Sequence, residues 1–129
     1  DSARACLSQT NAAGLMVGRG AIGRPSIFGE IKVGLGWMEK EELPWIKAHE
    51  GNWENLTETA QQFATRRWCW NRYIELARET TGLELKSMRG HAVSFTKGLP
   101  SAKKIRSIMH GKTSKEEFAA ATSNFLASN

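Results

Sequence analysis

The chain has 129 residues, of which 40% are hydrophobic and 24% are charged, and its formal net charge is +5. This length predicts one domain, and the composition predicts a globular chain rather than a disordered one. No apolar run approaches the roughly 20 residues that cross a bilayer, and the first residues lack the apolar core of a signal peptide, so we expect no membrane partner.

The two cysteines, Cys6 and Cys69, have neither C-x-x-C spacing nor a nearby histidine pattern. Neither a zinc site nor a disulfide framework is therefore indicated. Two reduced thiols in a cytoplasmic protein, with no bound metal, are the simplest interpretation.

The N-terminal part predicts the order helix, tight turn, strand, glycine loop and helix, which is typical of a parallel α/β protein. Residues 2–10 are predicted to be helical, and Leu15, Met16 and Val17 form a short apolar run that predicts a buried strand. One parallel strand cannot satisfy its own backbone hydrogen bonds, so its neighbours must lie elsewhere. Together with Asp1 in the first position, where an initiator methionine would stand, this predicts a chain cut from a longer protein.

The predicted strand is followed by Gly18, Arg19 and Gly20, and then by a helix predicted from Pro25 to about Leu35. Glycines let the backbone approach a ligand closely, the free N–H groups point outward, and the arginine adds a charged fork. This pattern indicates an anion site, most simply for the phosphate of a nucleotide-like cofactor. G-R-G also occurs in ordinary turns, so a plain surface turn is the alternative.

Residues 37–55 differ in composition from what lies on either side. They include Pro44, Gly51, a cluster of glutamates and three of the five tryptophans. We interpret this stretch as a linker or inserted loop that covers another part of the molecule with its aromatic rings. The predicted boundaries are therefore 1–36 for the first unit and 56–129 for the second.

The second unit is predicted to be a bundle of four antiparallel helices with short connections. Apolar residues recur every three or four positions over 56–77 and 85–99, and Trp68 and Trp70 are more simply core residues than stacking platforms. The third helix is predicted to start at a Ser101 cap and to carry an apolar face of Ala102, Ile105, Ile108 and Met109. Ser114 and Glu117 form the capping-box pattern of the fourth.

The positive charge is confined to the second half of the chain. Residues 1–50 hold six basic and six acidic side chains, whereas residues 51–129 hold twelve basic and seven acidic ones. Between Lys86 and Lys115 there are eight lysines and arginines and no acidic residue. A field of one sign predicts a polyanionic partner, most simply nucleic acid, because solvated helix surfaces, the alternative, normally mix signs. The candidate RNA contacts are Lys86, Arg89, Lys97, Lys103, Lys104 and Arg106.

Two blocks of the sequence carry a resemblance to a known family. They are GLMVGRGAIGRPSIF, residues 14–28, and MRGHAVSFTKGLPSAKKIR, residues 88–106. In these blocks, and in their order and separation, the chain resembles the C-terminal part of a tRNA-dihydrouridine synthase. The resemblance covers nearly all of the chain. Residues 37–55 look longer than is usual for the family, and Gly90 stands where the family commonly has a basic residue, which puts one RNA contact in doubt.

The resemblance implies a fold, an activity and two cofactors. Family members have an eight-stranded β/α barrel that binds FMN, followed by a helical domain, and they use NADPH and the flavin to reduce uridine in tRNA to dihydrouridine. The implied fold is mostly α: the last strand and phosphate loop of a truncated (β/α)8 barrel, followed by a C-terminal four-helix bundle that binds tRNA. Gly18 and Arg19 would contact the FMN phosphate, and Gly20 and Ala21 would add backbone N–H groups.

The same resemblance implies that the catalytic residues are not in this sequence. The family's catalytic cysteine lies in a barrel loop upstream, and neither Cys6 nor Cys69 stands in that motif. The flavin-ring lysine and histidine also lie upstream. We therefore expect the isolated chain to lack synthase activity. A non-catalytic helical RNA-binding module is the alternative function.

Overall fold

The computed structural model describes residues 1–128, apart from the side chain of Ile108, so the predicted apolar role of Ile108 and the final residue of the predicted second unit lie outside the described part. Its helices are α1 Ser2–Thr10, α2 Ile27–Gly34, α3 Pro44–Lys47, α4 Glu58–Glu79, α5 Leu85–Thr96, α6 Ala102–His110 and α7 Lys115–Leu126. Short 3₁₀ turns lie at Arg19–Ala21, Lys40–Glu42 and Trp53–Asn55. The described residues contain no strand, and the predicted mostly-α fold class is confirmed.

The prediction of a strand over Leu15, Met16 and Val17 is wrong for the described structure. These residues form irregular backbone, with Leu15 and Val17 half-buried and Met16 95% exposed. A strand needs a neighbour to receive its backbone hydrogen bonds, and the described residues supply none. The apolar run therefore leaves one side in solvent.

The four C-terminal helices pack around one apolar core. α7 lies against α4, α5 and α6, and the core is built on large side chains with almost no exposed surface: Phe63, Trp70, Met88, Phe118 and Leu126. The Trp70 indole N–H donates to the Ala119 carbonyl at 3.2 Å, so its polar atom is satisfied inside the core. Trp68 is half-buried against the same cluster, which agrees with its predicted core role.

Two predicted helix caps have different outcomes. The Ser114 hydroxyl accepts from the Glu117 backbone N–H at 3.4 Å and caps α7. Ser101 precedes α6 as predicted, but its side chain makes no capping bond, so that prediction is wrong. The reason is the backbone: Ser101 has φ 60°, whereas a capping residue takes the extended conformation that aims its hydroxyl at the first turn.

The segment 37–55 packs against α4. Leu43, Trp45 and Trp53 are buried together, and the Trp45 and Trp68 rings lie 5.9 Å apart. Trp37 is exposed. Two of the three tryptophans thus do what the aromatic composition predicted, which is to cover a neighbouring part of the molecule. The position of a domain boundary here stays a prediction.

Gly23 joins the N-terminal segment to the bundle. Its φ is +75°, and a Cβ at this position would lie 2.5 Å from the Ser94 carbonyl carbon of α5. The Arg66 guanidinium on α4 donates to the Gly23 carbonyl oxygen. Because both the positive φ and the close approach exclude a side chain, only glycine lets the chain after residue 20 dock on α4 and α5.

Candidate phosphate loop and basic surface

The predicted phosphate loop is a single 3₁₀ turn. The Ala21 N–H donates to the Gly18 carbonyl at 3.0 Å, and the Ile22 N–H donates to the Arg19 carbonyl at 3.2 Å. The N–H groups of Arg19 and Gly20 have no backbone acceptor among the described residues, as in the first turn of any helix. A Cβ at Gly18 would meet nothing within 4 Å. The Ala21 N–H is therefore used within the turn, so its predicted role as a phosphate donor is wrong, whereas the N–H groups of Arg19 and Gly20 remain as two donors.

Arg19 and Arg24, the two arginines near this loop, differ in whether they form an ion pair. Arg19 is exposed and makes no hydrogen bond or ion pair within the described part of the chain. Arg24 forms an ion pair with Glu30, whose other carboxylate oxygen accepts from the Ser26 hydroxyl at 2.7 Å. The full charge of Arg19 is therefore available to an anion, whereas that of Arg24 is partly neutralised. Two N–H donors and a free guanidinium form a donor set that suits a phosphate group.

The six predicted RNA contacts differ in the element that carries them and in their contacts. Lys86 and Arg89 are exposed on α5, and Lys103 and Lys104 are exposed on α6. The Arg89 guanidinium donates to the Lys112 carbonyl at 3.0 Å, which ties α5 to the turn before α7. Lys97 lies just beyond the end of α5.

Arg106 differs from the other five because it is half-buried. It borders a cavity of about 130 Å³ together with Arg89, His110 and the apolar side chains of Val93, Met109 and Phe118. Its Nε is buried without a hydrogen-bond partner among the described residues. Arg106 is thus held between the core and the basic surface, and part of its side chain serves packing.

Lys97 borders a different and larger cavity, which sequence reasoning did not predict. This cavity of about 570 Å³ lies between α2, the segment 37–55 and α4, and its lining includes Arg24, Arg66 and the rings of Trp45 and Trp53. In the sequence, this cavity is signalled only by a basic residue, Arg66, beside the apolar positions of α4. The cavity forms where α2 and the two tryptophans meet α4, and the spacing of apolar residues does not predict such contacts.

The two cysteines lie in different surroundings. Both are free; Cys6 is exposed on α1 and Cys69 is buried in the core. Burial raises the pKa of the Cys69 thiol to about 11, because a thiolate would be desolvated, although a hydrogen bond from the Ser26 backbone opposes this shift. Cys69 is therefore a neutral core side chain at pH 7.

His91 lies at a helix interface. Its ring packs edge-on against Tyr73 with the centroids 4.9 Å apart, and it is half-buried. Among the described residues, no group of three or more His, Cys, Asp or Glu side chains is placed to hold a metal ion. No helix in the described part of the chain is both long enough and apolar enough to span a membrane.

Comparison with known protein families assigns the chain to a class. The dihydrouridine synthase family (Dus) matches residues 1–128, so the chain belongs to this family of tRNA-modifying oxidoreductases. No curated protein and no solved structure matches the chain. The resemblance carried by the two sequence blocks is thereby confirmed at the level of the family.

Proposed function

We propose that this chain supplies part of the FMN phosphate site and the tRNA-binding helical domain of a dihydrouridine synthase. That enzyme would reduce uridine to 5,6-dihydrouridine in tRNA with FMN and NADPH, in the reducing cytoplasm that two free cysteines favour. The observation that carries the proposal, within a chain of this family, is the exposed guanidinium of Arg19 beside two backbone N–H groups, none of which has a partner in the part of the chain that the structure describes.

In this proposal Gly18, Arg19 and Gly20 hold the phosphate end of the flavin. Arg19 neutralises its charge, the N–H groups of Arg19 and Gly20 donate to its oxygens, and Gly18 leaves room for it. The flavin, when bound, supplies the reducing chemistry. In this proposal the chain orients the flavin, and the groups that act on the uracil ring lie outside this sequence.

The basic surface would hold tRNA through its phosphates. Lys86, Arg89, Lys103 and Lys104 lie on two neighbouring helices, and between Lys86 and Lys115 there is no acidic residue to offset them. Contacts of this kind position a nucleic acid without reading its sequence, and they weaken with salt. The proposed role of α5 and α6 is therefore to orient tRNA relative to the flavin.

Charge reversal on α6 tests the RNA surface. Lys103→Glu with Lys104→Glu should weaken binding of unmodified tRNA at least roughly tenfold at low salt and should flatten the salt dependence by about two phosphate contacts. Filter binding at several salt concentrations measures both quantities. The control is Lys32→Glu with Lys47→Glu, an equal charge change at exposed lysines elsewhere. Equal affinity for both double variants would contradict the assignment.

The alternative is a non-catalytic helical RNA-binding module, which is favoured because the described residues form helices and no strand. The two functions differ in their need for Arg19. In the flavin-loaded synthase, Arg19→Ala should lower the flavin content of the purified protein and leave tRNA affinity unchanged. A binding module instead purifies without flavin whatever residue stands at position 19. Oxidation of NADPH by the isolated chain with unmodified tRNA would contradict its expected inactivity.

A further inference from the structure

The cavity between α2, the segment 37–55 and α4 has an unbalanced electrostatic lining. Its cationic side chains are Arg24, Lys40, Arg66 and Lys97, and its anionic ones are Glu30 and Glu58. Lys40 is paired outside this set, with Glu54 at 2.6 Å, and Arg24 is paired with Glu30. Arg66 and Lys97 have no carboxylate partner among the described residues. Among the described lining residues, the unpaired cations Arg66 and Lys97 outnumber the one unpaired carboxylate, Glu58, so the lining carries a net positive charge.

Arg66 is the unusual member of this set. It is half-buried, and its one protein hydrogen bond among the described residues, to the Gly23 carbonyl, uses only part of a guanidinium that carries five N–H donors. Burial lowers the pKa of Arg66, and the neighbouring Arg24 guanidinium lowers it further, although Cys69 and the Glu30 carboxylate oppose this shift in part. Withdrawing a cation from water is unfavourable unless an anion accompanies it. Its position beside an open cavity thus suits a ligand that brings negative charge.

We infer that this cavity is a phosphate site for RNA, formed by Arg24, Arg66 and Lys97, in addition to the basic surface of α5 and α6. The inference rests on the proposed tRNA-binding function. RNA is the favoured source of the phosphate because Lys97 belongs both to the cavity lining and to the acid-free stretch that begins at Lys86. A nucleic-acid backbone that follows α5 to its end therefore meets the cavity next.

The ion pair between Arg24 and Glu30 provides a test in which removing either partner should change tRNA affinity in opposite directions. Glu30 competes with an incoming phosphate for Arg24, so Glu30→Gln should tighten binding of unmodified tRNA by roughly threefold, while Gln can still accept from Ser26. Arg24→Gln should weaken binding by roughly fivefold and reduce the salt slope by about one phosphate contact. The matched control is Arg72→Gln, which removes an exposed arginine paired with Glu75 on α4 outside the cavity lining, and its affinity should stay within twofold.

The outcomes separate this inference from the function on which it rests. If wild-type chain does not bind tRNA, both fail. If Lys103→Glu with Lys104→Glu weakens binding while Arg24→Gln and Glu30→Gln leave it unchanged, the cavity assignment alone is wrong. Thermal shifts with inorganic phosphate distinguish the source: a stabilisation that Arg24→Gln abolishes, with tRNA affinity unaltered, would show that the cavity takes free phosphate and would overturn the assignment to RNA.

Discussion

The bundle and the N-terminal segment 1–36 bury their apolar residues to very different extents. In the bundle, Trp70 and Met88 have no exposed surface, and Phe118 is 1% exposed. In α1 and α2 no residue is buried, and Met16 and Phe28 lie in solvent. Both regions contain apolar runs of similar character. The difference is that each bundle helix finds a partner within the described chain and the N-terminal run does not.

This difference has a functional counterpart. The buried core stabilises the bundle, and the charged residues lie on its outer surface. Its lysines can therefore bind a partner without being needed for folding. The N-terminal segment contacts the rest of the molecule through Gly23, through the buried Ser26, whose backbone hydrogen-bonds to the Cys69 thiol, and through Gly29, where a Cβ would lie 2.7 Å from Leu43. Few buried contacts mean low local stability, so we expect the phosphate loop to be less firmly held than the basic surface.

Truncation of a core ring should give the largest effect. Phe118→Ala should lower the free energy of unfolding by about 3–5 kcal/mol, because it removes a buried ring from between α7 and its neighbours. Urea denaturation followed by tryptophan fluorescence measures this loss. The control in the other region is Met16→Ala, which should change stability by less than about 0.5 kcal/mol. Similar losses in both variants would refute the contrast between the regions.

The junction between the two regions should be sensitive to a single methyl group. Gly23→Ala introduces a Cβ against the Ser94 backbone at positive φ, which we expect to cost about 2 kcal/mol. The N-terminal segment should then detach, and limited proteolysis should show faster cleavage within residues 14–28. Gly34→Ala is the matched control: a Cβ there meets nothing within 4 Å, so the helix should become slightly more stable. If Gly23→Ala is cleaved within residues 14–28 no faster than wild type, the proposed junction is wrong.

The Cys69 thiol should give the smallest effect, one that depends on pH. Because its pKa rises from about 9 in the unfolded chain to about 11 in the fold, the unfolded chain loses the proton first as the pH increases. The contribution of the buried Cys69 thiol to the free energy of unfolding is complete below pH 9 and is lost between pH 9 and 11. The stability advantage of wild type over Cys69→Ala should therefore shrink by about 1.4 kcal/mol at pH 10. A pH-independent difference for Cys69→Ala would contradict this burial effect.

The helices of the bundle could be predicted because their information is local. A spacing of three to four residues places apolar side chains on one face whatever the partner is, and the Ser114 pattern caps α7 by contacts within one turn. The predicted strand failed because a strand depends on a neighbour distant in sequence. Ser101 failed as a cap for a related reason: the turn after Leu99 imposes a left-handed conformation that composition does not reveal.

By itself, the sequence determined the helical bundle, the confinement of positive charge to its second half and membership of the dihydrouridine synthase family. All three depend on residue type and spacing along the chain, so they can be predicted without knowing which distant residues are in contact. Only the tertiary structure decided that Arg24 is paired while Arg19 has no partner among the described residues, and that Lys97 lines the same cavity as Arg66. The physical reason is that pairing and burial depend on which elements meet, and here Gly23 brings the N-terminal segment onto α4 and α5.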